Sequence, residues 1–185
     1  GGDPVYTYAA TAPLPEGIDE NMTDGFLRNK PVSLTDCLTQ PLQVPADCDF
    51  VIEGYIDTKE APVVEGPFGD HTGFYSLEDL YPKMHITCIS HKKDAIYPAT
   101  IVGIPPQEDK YIAMATESIF LTPIQFTMVP ELKDLYLPEE GIGHNLAIVK
   151  IEKSYPGQGI KVGHALWGAG QMMFCKTIII TDEDI

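Results

Sequence analysis

The sequence predicts an α+β domain built on a mainly antiparallel sheet or barrel. Strand-length apolar runs follow one another across short polar loops, as hairpins do. Helical spacing is confined to a few segments, and strands do not alternate regularly with helices, which disfavours a doubly wound sheet. At 185 residues the chain is expected to form a single domain spanning 1–185, and its 44% hydrophobic residues suffice for a core.

The elements follow in order. Pro13, Pro15 and Gly17 make an extended lead-in, after which Asp19 is placed to cap a short helix running to about Leu27. Val32 to Leu38 alternates loosely, as a half-buried strand does, and Phe50 to Ile56 is a second strand set off by Pro45. Glu65-Gly66-Pro67-Phe68-Gly69-Asp70 is a turn, because two glycines and a proline in so short a run exclude regular structure. Strands are predicted at Met84 to Ser90 and Ile96 to Val102, joined by the polar loop His91-Lys92-Lys93-Asp94 and ended by Gly103 and Pro105-Pro106. Glu108 to Phe120 has helical spacing, with Ile112, Ala115 and Ile119 on one face. Leu146 to Ile151 reads as a strand. A second helix of that kind is predicted over about Gly159 to Met173, with Val162, Leu166, Ala169 and Met173 in register, and Thr177 to Ile180 is the last strand. No repeat or low-complexity segment interrupts this order.

Charge narrows the function. Twelve basic against 27 acidic residues give a net charge of -15, which argues against nucleic acid and anionic membrane surfaces as partners. The only dibasic step is Lys92-Lys93. The four cysteines, Cys37, Cys48, Cys88 and Cys175, form no CxxC pair and read as buried free thiols of a reducing compartment. No apolar run approaches the ~18 residues of a membrane span, so the expected location is cytoplasmic. Gly1-Gly2-Asp3-Pro4 reads as the middle of a protein, and the chain stops on leaving a strand, so truncation is expected at both ends.

Three segments carry residues suited to chemistry. Glu65 to Gly73 places two carboxylates, Glu65 and Asp70, on a turn stiffened by Pro67. Paired carboxylates suit acid/base work, one holding a cation while the other exchanges a proton; the competing reading is a surface turn with solvated acids. Pro13 to Glu20 offers carbonyls and carboxylates to a hard cation, against the plainer reading of an acidic helix start favoured by the macrodipole. Ile96 to Asp109 reads as a strand, a Pro-Pro corner and an acidic helix N-terminus, with capping sufficient to explain Glu108 and Asp109. His85, His91, His144 and His164 show no ligand spacing and read as structural. Gly168-Ala169-Gly170 reads as close packing within the last helix, without a phosphate loop.

Taken together, these segments resemble the UbiD family of decarboxylases (3-octaprenyl-4-hydroxybenzoate carboxy-lyase-like). Glu65 to Gly73 (EGPFGDHTG) carries the likeness most strongly. Tyr97 to Asp109 (YPATIVGIPPQED) and Ile151 to Trp167 (IEKSYPGQGIKVGHALW) follow in the family's order.

The resemblance implies an enzyme that removes CO₂ from an aromatic or α,β-unsaturated acid, such as the quinone precursor polyprenyl-4-hydroxybenzoate. It implies prenylated FMN, Mn²⁺ or Mg²⁺, and K⁺ as cofactors, and a middle domain of the FMN-binding split-barrel type with a few flanking helices. Glu65 and Asp70 are then two members of a Glu-Arg-Glu/Asp triad, and Glu20 is a ligand of the divalent metal. Ala9, Ala10 and Ala12 offer backbone carbonyls to potassium, and Thr11, Ala12 and Pro13 lie against the flavin. The family's Asn-x-Gly-x-Tyr-Arg segment, with the triad arginine and a metal-ligand asparagine, is not found in these 185 residues. The expectation is therefore a fragment inactive alone, partnered by the rest of the same enzyme and homo-oligomeric when full-length. Two other classes compete: a flavin-binding split-barrel oxidoreductase and a non-catalytic assembly module. The first would need a complete phosphate-binding set of Arg, Lys, Ser and Thr, which the sequence does not offer. The second requires Glu65 and Asp70 to be replaceable without effect.

Overall fold

A computed structural model describes residues 2–10 and 17–183. It contains α1 (Val5–Ala10), α2 (Glu20–Arg28), α3 (Asp109–Thr127) and α4 (Gln158–Trp167). Its strands are β1 (Leu34–Asp36), β2 (Gln43–Pro45), β3 (Phe50–Ile56), β4 (Val63–Glu65), β5 (Asp79–Tyr81), β6 (Met84–His91), β7 (Leu132–Tyr136), β8 (Leu146–Ile151) and β9 (Thr177–Thr181). This is a mixed α+β fold with predominantly antiparallel pairing, as the sequence predicts; no closed barrel is seen among the described residues. The chain divides into two compact units: Gly1–Ala9, Asp19–Asp70 and Tyr75–Thr100 form the first, and Ala10–Ile18, His71–Phe74 and Ile101–Ile185 the second.

The first unit is a set of antiparallel pairs, β1–β2, β3–β6 and β4–β5. Between Glu53 and Gly54 the β3–β6 register shifts by a bulge, where a Cβ on Gly54 would collide with the His85 carbonyl. Glu53, buried beside the bulge, accepts hydrogen bonds from Leu38 N (2.8 Å), Thr39 N (2.6 Å) and Thr39 Oγ1 (2.7 Å). Those donors, the Leu38 amide foremost, hold its carboxyl below the usual range despite burial, and they fasten the turn after β1 to the β3–β6 pair. A second polar knot joins α1 and α2 to the turn after β2. Arg28 donates to Tyr6 Oη (2.9 Å) and to Asp47, and Tyr6 Oη donates to Asp47 Oδ1 (2.5 Å). The bonds from Arg28 and Tyr6 bring the Asp47 carboxyl down from 3.8 to about 2. A depressed folded pKa contributes stability above the unfolded value and loses it as pH falls through the folded one. Acidifying the full-length protein from about pH 5 to about pH 2 is thus expected to lower its urea midpoint, and Asp47→Asn to lose this part of the pH dependence.

The second unit owns the hydrophobic core. β7 and β8 pair antiparallel, and β9 joins β8 in parallel through the α4 crossover. Burial alternates along β8, so Ala147, Val149 and Ile151 face inward. Phe120 and Ile124 of α3, Leu132 and Leu135 of β7, and Val162 and Leu166 of α4 close over that face. Phe120→Ala is expected to cost about 3–5 kcal/mol, read from chemical denaturation of the full-length protein. Under α4, the buried Glu131 carboxylate accepts Lys161 Nζ at 2.7 and 3.0 Å and Gln158 Nε2 at 3.3 Å, while Gln158 Oε1 accepts Ser154 N at 2.6 Å. Burial alone would raise the Glu131 carboxyl, but the Lys161 bond and its neighbours hold it below its usual value.

Several sequence expectations change. Ile96 to Val102 is not a strand: Pro98 removes a backbone donor in mid-run, and no described strand pairs with it. The long second helix ends at Trp167, with Gly168 as its C-cap, and resumes only as a 3₁₀ turn over Gly170–Phe174. Met172 is therefore buried there while Met173 is exposed. The Glu108 helix runs on to Thr127 across Pro123. Glu108 makes no capping bond; its Oε1 accepts Ile101 N at 2.7 Å and pins the corner instead. Of the four free cysteines only Cys175 is fully buried. Among the described residues, no helix is long and apolar enough to cross a membrane.

Candidate functional site

The Glu65–Gly73 motif folds as an antiparallel ribbon. Its foot is the β4–β5 ladder, where Glu65 is the last residue of β4 and stands opposite Asp79. Gly66 at φ +97 turns the chain beneath the Leu77 carbonyl, which a Cβ would approach to 2.9 Å. Phe68 N donates to Ser76 Oγ (3.1 Å), Ser76 N donates to the Phe68 carbonyl (2.9 Å), and Gly69 bridges Tyr75. Asp70 thus stands where the ribbon opens into its tip, half-buried, whereas Glu65 is exposed at the foot.

The two acids the sequence singles out therefore share one rigid element. Glu65 and Asp79 are like charges directly opposite on a ladder, an arrangement that is unfavourable without a cation. The Glu65 side chain has no cationic partner among the described residues. A carboxylate placed in this way is suited to holding a guanidinium or an ammonium group.

Glu20 is the first residue of α2, and Asp19 caps that helix as the sequence predicts, accepting Asn21 N at 2.8 Å. Glu20 is exposed. One turn on, on the same helix face, lies an acid the sequence reading missed: Asp24, 2% exposed, with Oδ1 lacking a hydrogen-bond partner. Burial raises its carboxyl, against the opposing pull of Arg28. Oxygen donors of this kind suit a hard divalent cation, but no three His, Cys, Asp or Glu residues group for a metal among the described residues. The donors fit such an ion in kind and are incomplete in number. Ala9 and Ala10 end α1, where the last carbonyls of a helix have no partner in its own ladder. Thr11, Ala12 and Pro13, the expected flavin contacts, lie outside the described residues, as does the third potassium carbonyl, that of Ala12.

The other two motifs have structural work. Tyr97 to Asp109 forms the Pro-Pro corner pinned by Glu108, and Ile151 to Trp167 supplies Gln158 and Lys161 to Glu131. Sequence spacing also missed the pairing of His71 with His144, which lie 73 positions apart and whose rings meet in the second unit.

With the ribbon and its acids placed, comparison with known proteins identifies the class. Residues 1–105 match the 3-octaprenyl-4-hydroxybenzoate carboxy-lyase Rift-related domain, and residues 110–185 match the 3-octaprenyl-4-hydroxybenzoate carboxy-lyase C-terminal domain. The chain belongs to the UbiD family. The break between the two matches lies close to where the second unit takes over the chain. An uncharacterized protein of Archaeoglobus fulgidus is 51% identical over 100% of this chain and 38% of its own length. One from Helicobacter pylori is 51% identical over 100% of this chain and 30% of its own length. The chain thus spans well under half of these relatives. Among solved structures, the closed form of vanillic acid decarboxylase from Sedimentibacter hydroxybenzoicus is similar, with a TM-score of 0.83 and 28% identity over 97% of this chain and 38% of that one. An evolved dimeric form of the UbiD-class enzyme HmfF from Pelotomaculum thermopropionicum, in complex with prFMN, gives a TM-score of 0.74 and 26% identity over 96% of this chain and 40% of that one.

Proposed function

We propose that this chain is part of a prenylated-FMN-dependent carboxy-lyase acting on an aromatic or α,β-unsaturated acid, with a quinone precursor of the polyprenyl-4-hydroxybenzoate type as one substrate candidate. The observation that carries the reading is the ribbon that sets Glu65 at its foot and Asp70 at its tip in a chain of this family. When bound, the flavin supplies an electron sink for the carbon that loses CO₂. Asp70 donates the proton that replaces CO₂, and Glu65 orients the triad arginine contributed by the rest of the protein. Glu20 would be a ligand of the Mn²⁺ or Mg²⁺ ion, and the Ala9, Ala10 and Ala12 carbonyls would hold K⁺. Thr11, Ala12 and Pro13 would contact the flavin, and the first unit's strands would form part of a split barrel completed by other segments. The full-length enzyme is a cytoplasmic homo-oligomer.

The test loads the full-length protein with prenylated FMN and Mn²⁺. CO₂ release is measured from vanillic acid, 3,4-dihydroxybenzoic acid and a 3-prenylated 4-hydroxybenzoate. Release from none of them, with flavin bound, counts against an aryl carboxy-lyase. Glu20→Ala is expected to lower metal content and flavin retention together. Unchanged Mn²⁺ by elemental analysis returns Glu20 to a helix-start role.

A further inference from the structure

His71 Nε2 and His144 Nε2 are 2.6 Å apart, with ring centroids separated by 4.9 Å and planes inclined at 53°. This is a hydrogen bond between ring nitrogens, not a stack. Such a bond fixes protonation. One facing nitrogen carries the hydrogen, and the other offers a lone pair, so the accepting ring is neutral with its hydrogen on Nδ1.

Both rings sit on backbone with little room to move. On the His71 side, Gly73 at φ +87 would bring a Cβ within 3.0 Å of the Pro105 ring and 3.3 Å of Ile104 Cα, so the chain lies directly against that corner. On the His144 side, Gly143 at φ +71 would bring a Cβ within 3.3 Å of both Ala113 Cβ and the Asp109 carbonyl, so its loop is seated on α3. The His144 and Asn145 amides both donate to the Gly141 carbonyl, and the next residue begins β8, whose inner face is core. The ring pair therefore ties residue 71 to the core of the second unit.

We infer that His71 and His144 act as one clasp that positions Asp70, the residue immediately before His71. This rests on the reading of Asp70 as proton donor. A donor must hold its geometry to within a fraction of an ångström, and the ring pair fixes the residue bonded directly to Asp70. His71 and His144 are positioning residues; neither needs to touch substrate.

The test uses the full-length protein without flavin and reads the rings and backbone directly. Long-range ¹H–¹⁵N spectra are expected to show the two rings in fixed, complementary protonation states. In His144→Phe, the His71 ring signals are expected to shift, because its Nε2 loses the His144 partner. Phe fills similar space, so a role in packing alone would leave the His71 spectrum unmoved. Amide hydrogen exchange over residues 70–73 is expected to rise roughly ten-fold or more in His144→Phe, with β7–β9 unchanged. His144→Gln, whose amide can bond His71, is expected to restore much of the protection. Unchanged His71 signals or unchanged exchange in His144→Phe overturns the inference. General loss of protection through β7–β9 overturns it too, because His144 would then be a core support. Asp70→Asn separates the clasp from the reaction, since it leaves both rings in place and is expected to keep their signature. Full turnover by that variant once loaded with flavin removes Asp70 as donor, and with it the positioning role, while the ring pairing stands.

Discussion

Asp70→Asn in the full-length, flavin-loaded protein is expected to lower turnover by roughly 10²-fold or more, the usual scale for loss of a general acid, or about 2.7 kcal/mol in barrier. The amide keeps the shape of the carboxyl but has no acidic proton to give. Flavin and metal content are expected to stay at parent levels, because Asp70 stands on the ribbon and Glu20 on α2. Glu65→Gln is expected to slow turnover by another route, weakening the hold on a cation at the ribbon's foot while leaving the donor in place. The two are separated by incorporation of deuterium from D₂O into the decarboxylated product, which needs the donor and no CO₂ release. Exchange in Asp70→Asn at the parent rate would remove Asp70 from the role and turn attention to Glu65 or a bound water.

The sequence made the chemistry of this ribbon legible and left its neighbours obscure, for physical reasons. Glu65, Gly66, Pro67 and Asp70 declare a stiff acidic turn through residue type alone. β3, β6, β8 and β9 are long enough for their apolar content to show. β1, β2, β4 and β5 have three residues each, too few for a period of two to register. β7 hides its alternation behind a register shift between Leu132 and Asp134. Ile96 to Val102 has the apolar content of a strand, but Pro98 lacks the backbone donor that pairing needs. Asp24 and the His71–His144 pair carry no sequence signal at all: one depends on how α2 packs, the other on two loops meeting across 73 positions.

The isolated 185-residue chain is expected to behave as two materials. In the second unit, β7–β9 and the helices over them bury Phe120, Ile124, Leu132, Val149, Val162 and Leu166 almost completely, and their amides should exchange slowly. Among its described residues the first unit has no comparable core. Ile52, Ile56, Met84, Ile86 and Ile89 on β3–β6, and Val64 and Leu80 on β4–β5, stand about half exposed or more. Two-stranded pairs are marginal in water without a further strand or helix over their apolar face. The protection of β3–β6 amides in the isolated chain is therefore expected to fall at least ~10²-fold below that of β8–β9, a difference of about 2.7 kcal/mol in opening free energy. In the full-length protein the same amides should become slow. This chain covers only 38% of the Archaeoglobus fulgidus relative, which leaves ample polypeptide to cover that face. The isolated chain is also expected to lose added prenylated FMN on desalting, because a site whose walls are not ordered cannot hold a charged cofactor against the ordering cost. β3–β6 protection equal to that of β8–β9 in a monomeric isolated chain would show that the first unit stands by itself. The same protection in a dimer, seen by light scattering, would show that a second copy covers the exposed isoleucines.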